Sequence, residues 1–104
     1  MIITTTDFIP SKNIIEILGV VQGSTVRVKH IGHELLTALK SIIGGELCSY
    51  TRLITESREQ AIQRMIEDAN QMGADAIINV RFVTAEITTG AAEILVYGTA
   101  VKIA

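Results

Sequence analysis

Tryptophan is absent, cysteine and proline occur once each, and aromatic residues make up 4% of the 104-residue chain. Each scarcity closes off a class of protein. A lone Cys48 cannot form an internal disulfide, which fits a reducing compartment and excludes a disulfide-stapled scaffold. Few aromatics remove the stacking platforms on which single-stranded nucleic acids are bound. Charge is also sparse, at 19% of residues against about 25% in a typical domain. Lys and Arg are dispersed singly and the net charge is −2, so the basic stripe that phosphate neutralisation requires is missing. No nucleic-acid partner is expected. No long hydrophobic run exists either: the longest uncharged stretch, Ile17 to Val26, falls well short of the roughly 20 apolar residues of a spanning helix. Met1 to Thr6 carries no basic segment and Asp7 follows at once, which does not read as a secretory signal. The expected location is the cytoplasm, with no membrane partner.

Against these absences stands an excess. Hydrophobic residues make up 48% of the chain, and mean hydropathy is +0.40. A compact monomer of 11.3 kDa keeps about 5,700 Å² of surface in water and has limited interior for such a load. Some apolar surface is therefore expected to face another chain. The length allows one domain over residues 1–104.

Periodicity gives the elements. Ile2 to Thr6 reads as a short strand ended by Asp7 and Pro10. Ile14 to Val21 is a second, β-branched run, apolar on both faces, continuing through a kink at Gln22-Gly23-Ser24 to Val28. The period then changes from two to about 3.6. Leu35, Leu36, Leu39, Ile42 and Ile43 form the stripe of a first helix stopped by Gly44-Gly45. A second helix is expected from a Ser49 N-cap to Met72, with Leu53, Ile54, Ala61, Ile62, Met65, Ile66 and Ala69 inward and Gly73 as the C-terminal stop. Its outer face carries the i, i+4 pairs Arg52 with Glu56 and Arg64 with Asp68. Ala76 to Thr88, with Ile78, Val80 and Phe82 on one face, and Ala91 to Ile103 read as a long antiparallel hairpin turning at Thr89-Gly90. Gly98 reads as a bulge or bend, and Arg81 is expected to approach Glu93 across the hairpin. Val21 to Val28 resembles Val96 to Ile103 position by position, with glycine third and a basic residue seventh.

Few residues carry obvious chemistry. His30-Ile31-Gly32-His33-Glu34 is the densest cluster of potential ligands, yet a structural zinc takes four ligands and a catalytic one three. Cys48 or Asp7 would have to complete the set. Gly44-Gly45-Glu46 lacks the Lys-Ser/Thr of a phosphate cradle and reads as a helix terminus. Cys48 has no base beside it in sequence, and Glu67 and Asp68 point in different directions on a helix, so neither makes a catalytic unit. No catalytic or cofactor-binding residue is assigned, no cofactor is expected, and metal ligands stay open.

Taken in order, Ile3-Thr4-Thr5-Thr6, Leu18-Gly19-Val20-Val21-Gln22-Gly23, Ile43-Gly44-Gly45-Glu46, Ala61-Ile62-Gln63-Arg64-Met65, Gly73 to Phe82 and Gly98-Thr99-Ala100-Val101 resemble the YbjQ-like family of small uncharacterised bacterial proteins, sometimes labelled heavy-metal-binding. The likeness spans essentially the whole chain. It implies an α+β subunit with a curved antiparallel sheet and two helices, dodecin-subunit-like, assembled as a homopentamer. It implies no catalytic set, and the family often has Asn and Arg where His30 and His33 stand here. Three functional readings follow: a structural or small-ligand-binding homo-oligomer, a heavy-metal-binding protein using His30, His33 and Cys48, and an enzyme whose site between chains is lined by Arg81, Glu93 and Tyr97.

Overall fold

In the computed structural model, residues 1–28, 45–88 and 91–104 are described, with the side chains of 27–28 and 45–50 excepted. Their order is β1 (Ile2–Ile3), β2 (Ile14–Val28), α1 (Gly45–Gln71), β3 (Ala76–Thr88) and β4 (Ala91–Ile103). The expected helix over 35–43, the histidine cluster and the Thr89-Gly90 turn lie outside the described residues.

The α+β expectation holds, but the sheet is mixed rather than antiparallel throughout. Its strand order is β1-β3-β4-β2, with β1 parallel to β3 and the other two pairs antiparallel. β1 is shorter than Ile2 to Thr6 because the threonines turn to local bonds that compete with a ladder. The Thr4 and Thr6 hydroxyls bond each other at 2.7 Å, and the Thr6 hydroxyl donates to the Phe8 carbonyl at 2.6 Å. β3 and β4 span the residues expected of them, because β-branched period-two chemistry runs unbroken between the glycines at 73 and 90.

The helix begins at Gly45, so Ser49 lies inside it and is not its cap. The same boundary carries Cys48 into its first turns. At the other end Gly73 adopts φ 74°, Ala74 N–H reaches the Ala69 carbonyl at 3.1 Å and Gly73 N–H the Asn70 carbonyl at 3.0 Å. These are the paired bonds of a Schellman C-terminus.

Ala61, Met65 and Ala69 recur every four residues and are fully buried against Val21, Ile77, Val80, Ile94, Val96 and Ala100. α1 packs on β2 and β4 and runs opposite to β2: Met72 sits over Gly19 and Ala61 over Gly23. Gly23 is no kink, since pairing with β4 is continuous from Gly19 to Val28 and the irregularities fall earlier, at Ile14/Glu16 and Ile17/Gly19. Its function is contact. A Cβ there would run into the Ala61 carbonyl oxygen and lie 2.5 Å from the Met65 nitrogen, so the helix sits this close only because position 23 has no side chain.

Gly98 stands opposite a bulge that lies on β3, not on its own strand: Asn79 and Val80 fill the space between the Ile78/Thr99 and Arg81/Tyr97 pairs. Asn79 takes φ 53° there. The extra residue inverts the alternation, so Ile78 and Val80 face opposite sides rather than one. Val80 joins Ile77 in the helix-side core, while Ile78 joins Ile9, Ala76 and Val101 on the far side. The similar segments at 21–28 and 96–103 are antiparallel neighbours, with Val21 opposite Gly98 and Gly23 opposite Val96.

Gly23→Ala forces the helix away from backbone atoms and is expected to cost about 3 kcal/mol, the upper end for an overpacked site. Gly73→Ala has open space around its Cβ and only the left-handed backbone to pay for, about 1 kcal/mol. Thermal or urea denaturation should rank Gly23→Ala well below Gly73→Ala; the reverse order contradicts the close-approach assignment.

Candidate functional site

Among the described residues the helix covers one face of the sheet along β2 and β4, and the other face carries exposed apolar side chains. Strand register orders it into rows, because directly opposed residues share a face. From one end the rows are Ile17, Val101 and Ala76; Val20, Thr99 and Ile78; Gln22, Tyr97 and Arg81; Ser24, Leu95 and Val83; and Val26, Glu93 and Ala85. Among the described residues outside the sheet, cover is seen only at the beginning of this surface. Ile9, in the segment from β1 to β2, packs on Ala76, Ile78 and Val101, and Asn13 and Ala104 exchange two backbone bonds of 2.9 and 3.0 Å across the sheet's end. Beyond that, large apolar side chains stand in water: Val20 is 70% exposed, Val26 51% and Val83 44%.

Within this apolar surface lies one polar row, Gln22, Tyr97 and Arg81. Arg81 is opposite Tyr97, not Glu93; Glu93 is opposite Ala85, two rows further on, or about 13 Å along the strand. The expected approach of Arg81 to Glu93 is therefore corrected, its cause being the continuous register from Glu86/Ala92 to Arg81/Tyr97, which puts Ala85 and not Arg81 opposite Glu93. All three residues nonetheless share this face. Arg81 is also structural. Its Nη1 donates to the Thr5 carbonyl at 3.0 Å and to the Val80 carbonyl at 2.9 Å, tying the N-terminal segment across the bulge. Asn79 and Val80 complete the tie by donating their backbone N–H groups to the Thr6 and Thr4 carbonyls at 3.0 and 3.1 Å.

The helix flank supplies a second set of polar contacts absent from the sequence reading. Asp68 and Arg64 are not simply solvated. Asp68 Oδ2 accepts the backbone N–H of Gln22 at 3.2 Å, and Arg64 donates from Nη1 to the carbonyl of Ser24. Both partners lie on β2, the outer strand, so one i, i+4 pair caps two groups of its open edge. The only sequence signal was the pair's spacing, which equally suits a solvated face. Asp75 is another structural carboxylate, accepting the Ile103 N–H at 3.1 Å.

Among the described residues no three His, Cys, Asp or Glu side chains come together to hold a metal ion. Asp7 joins no such group there, and the histidines at 30 and 33 lie outside those residues. Among the described residues, too, no helix is long and apolar enough to cross a membrane.

The fold defines a small α+β protein with, among the described residues, one long helix and a four-stranded mixed sheet. The chain belongs to the YbjQ-like family: a family model described as "Putative heavy-metal-binding" matches residues 1–104. A UPF0145 protein of Methanosarcina acetivorans is 55% identical over 99% of this chain and 97% of its own, and one of Vibrio parahaemolyticus is 58% identical over 99% and 98%. A solved protein of unknown function from Pediococcus pentosaceus, of the DUF74 family, superposes with a TM-score of 0.65 at 18% identity over 100% of this chain and 98% of that one, a likeness of fold alone.

Replacing Arg81 with Met removes the guanidinium tie to Thr5 and keeps most of the aliphatic bulk. Amide hydrogen exchange at Asn79 and Val80 is expected to quicken about fivefold, in line with a loss near 1 kcal/mol, while helix amides of 61–69 keep their rates. Unchanged exchange at Asn79 and Val80 would show that the tie contributes nothing.

Proposed function

We propose that this chain is a homo-oligomeric protein of the cytoplasm, a pentamer, with a structural or small-ligand-binding role rather than a catalytic one. The observation that supports it most directly is the uncovered apolar face. Val20, Val26, Val83 and Tyr97 occupy successive rows of one surface, and a contiguous patch of that kind marks an interaction site. The total surface supports the same reading: 6921 Å² against about 5,700 Å² for a compact monomer of this mass. The excess of about 1,200 Å² exceeds the roughly 800 Å² that each partner contributes to a standard interface. The subunit number rests on family resemblance, and the cytoplasmic placement on the single cysteine.

Heavy-metal binding is the second reading, favoured by the description that the matching family model carries. Its candidate ligands are His30, His33 and Cys48, and symmetry would bring copies of them together around an axis.

Sedimentation velocity at micromolar concentration is expected to give one species near five times the 11.3 kDa chain mass; a monomer overturns the assembly. Native mass spectrometry of protein purified from its own cells reads subunit number and any retained small molecule together. For the metal reading, titration with zinc, copper and nickel should show binding that is lost on replacing His30, His33 and Cys48 with Ala, and equal affinity in that variant removes the reading.

A further inference from the structure

The two outer strands are each capped over part of their length, and each leaves an apolar stretch of its outer edge open among the described residues. On β2, Arg64 and Asp68 occupy the outward groups of Ser24 and Gln22, so a partner strand finds its middle blocked. From Ile14 to Val20 no strand or side chain among the described residues bonds that edge. On β3, the N-terminal segment pairs with Ala76 and Ile77 and bonds Asn79 and Val80. From Phe82 to Thr88 the outer edge has no strand beside it among the described residues.

Both open stretches are seven residues, lying beside five residues of β4 on the β2 side and six on the β3 side because register irregularities fall within each. They lie on opposite edges and at opposite ends of β4, since Ile14 to Val20 pairs with Thr99 to Ile103 and Phe82 to Thr88 with Ala91 to Val96. Each carries large apolar side chains in water: Ile15 and Ile17 are 63% and 69% exposed on one, Val83 and Ile87 44% and 56% on the other. Long apolar edges of this kind pair with another chain unless something blocks them.

We propose that copies of this chain join edge to edge, Phe82 to Thr88 on β3 of one copy pairing with Ile14 to Val20 on β2 of the next. The inference rests on the assembly reading above and adds an edge contact to the burial of the face. A head-to-tail contact of two different edges whose rotation closes makes a ring and leaves neither edge open. A two-fold contact of β3 with β3 would leave every β2 edge exposed. A second copy is the fitting occupant because one chain presents both halves of the contact, and the surface in excess of a compact monomer is of the size that a specific interface buries.

The test uses two variants of the full chain. One carries Val83→Lys and Ile87→Lys on β3, the other Ile15→Lys and Ile17→Lys on β2; all four positions are exposed in the single chain, and circular dichroism checks that helix and sheet are retained. Each variant alone is expected to sediment as a monomer. Mixed, they should form a one-to-one pair and nothing larger, because the unaltered β2 of the first meets the unaltered β3 of the second. A wild-type monomer overturns both the assembly and the edge pairing. Wild-type oligomers whose subunit number survives in either variant overturn the edge pairing alone, as do a β2 variant that dimerises by itself and a mixture that forms no pair. Should a variant fail to fold, amide exchange on the wild-type protein decides. The alternating amides of Phe82 to Thr88 that do not bond β4 are expected to be protected at least 100-fold, and free exchange there overturns the proposal.

Discussion

A single α-helix about 10 Å wide covers two strands spaced about 4.8 Å apart, and no more. In this chain α1 lies on β2 and β4, so one face of the sheet is closed along those strands and the other is left to whatever else the protein meets. Among the described residues, the rest of the architecture follows from that mismatch between the helix and the four strands. The N-terminal segment, returning from β1 to β2, closes the near end of the open face with Ile9. The β3–β4 hairpin extends past the cover and leaves Phe82, Val83 and Ile87 in water.

How closely the helix approaches depends on what is missing at its contact. Gly23, Ala61 and Ala69 bring backbone near backbone, and the gain is a dry core in which Met65 and Val96 are fully buried. The close approach also sets the helix flank beside the outer strand, within reach of Arg64 and Asp68. Packing on one side and edge protection on the other are thus two results of one contact. The bulge at Asn79 has a similar double effect. It turns Val80 toward the helix, and Arg81 spans the bulge to hold the N-terminal segment through Thr5.

Much of this was legible in the sequence because it is local. Alternating β-branched residues between Gly73 and Gly90 gave both limits of β3. The four-residue recurrence of Ala61, Met65 and Ala69 gave the inward face of the helix, and Gly73 gave its stop. What stayed hidden depends on partners far away in the chain. Parallel pairing of β1 with β3 leaves no local mark. The inversion of faces after Ile78 requires knowing that Asn79 and Val80 share one opposite residue, and the expected meeting of Arg81 and Glu93 failed separately, on the strand register that puts Ala85 opposite Glu93. Gly23 was visible as a glycine, yet its reason is a helix 40 residues downstream. Of the candidate site, Arg81, Glu93 and Tyr97 do share a face, but their spacing there is set by register, which single-chain periodicity does not supply.

The apolar excess of the sequence is thereby given a location: the rows of the uncovered face and the two open edges beside it. The central claim is that this face is buried between copies of the chain in the native protein. Hydroxyl-radical footprinting read by mass spectrometry tests it most directly, with Tyr97, at the centre of the face and 37% exposed in the single chain, as the reporter. Burial predicts that, relative to the intrinsic reactivity of each residue type, Tyr97 and Val83 in the native protein react far more slowly than an exposed side chain such as Met72, just past the helix. Oxidation of Tyr97 and Val83 in proportion to their single-chain exposure would contradict it.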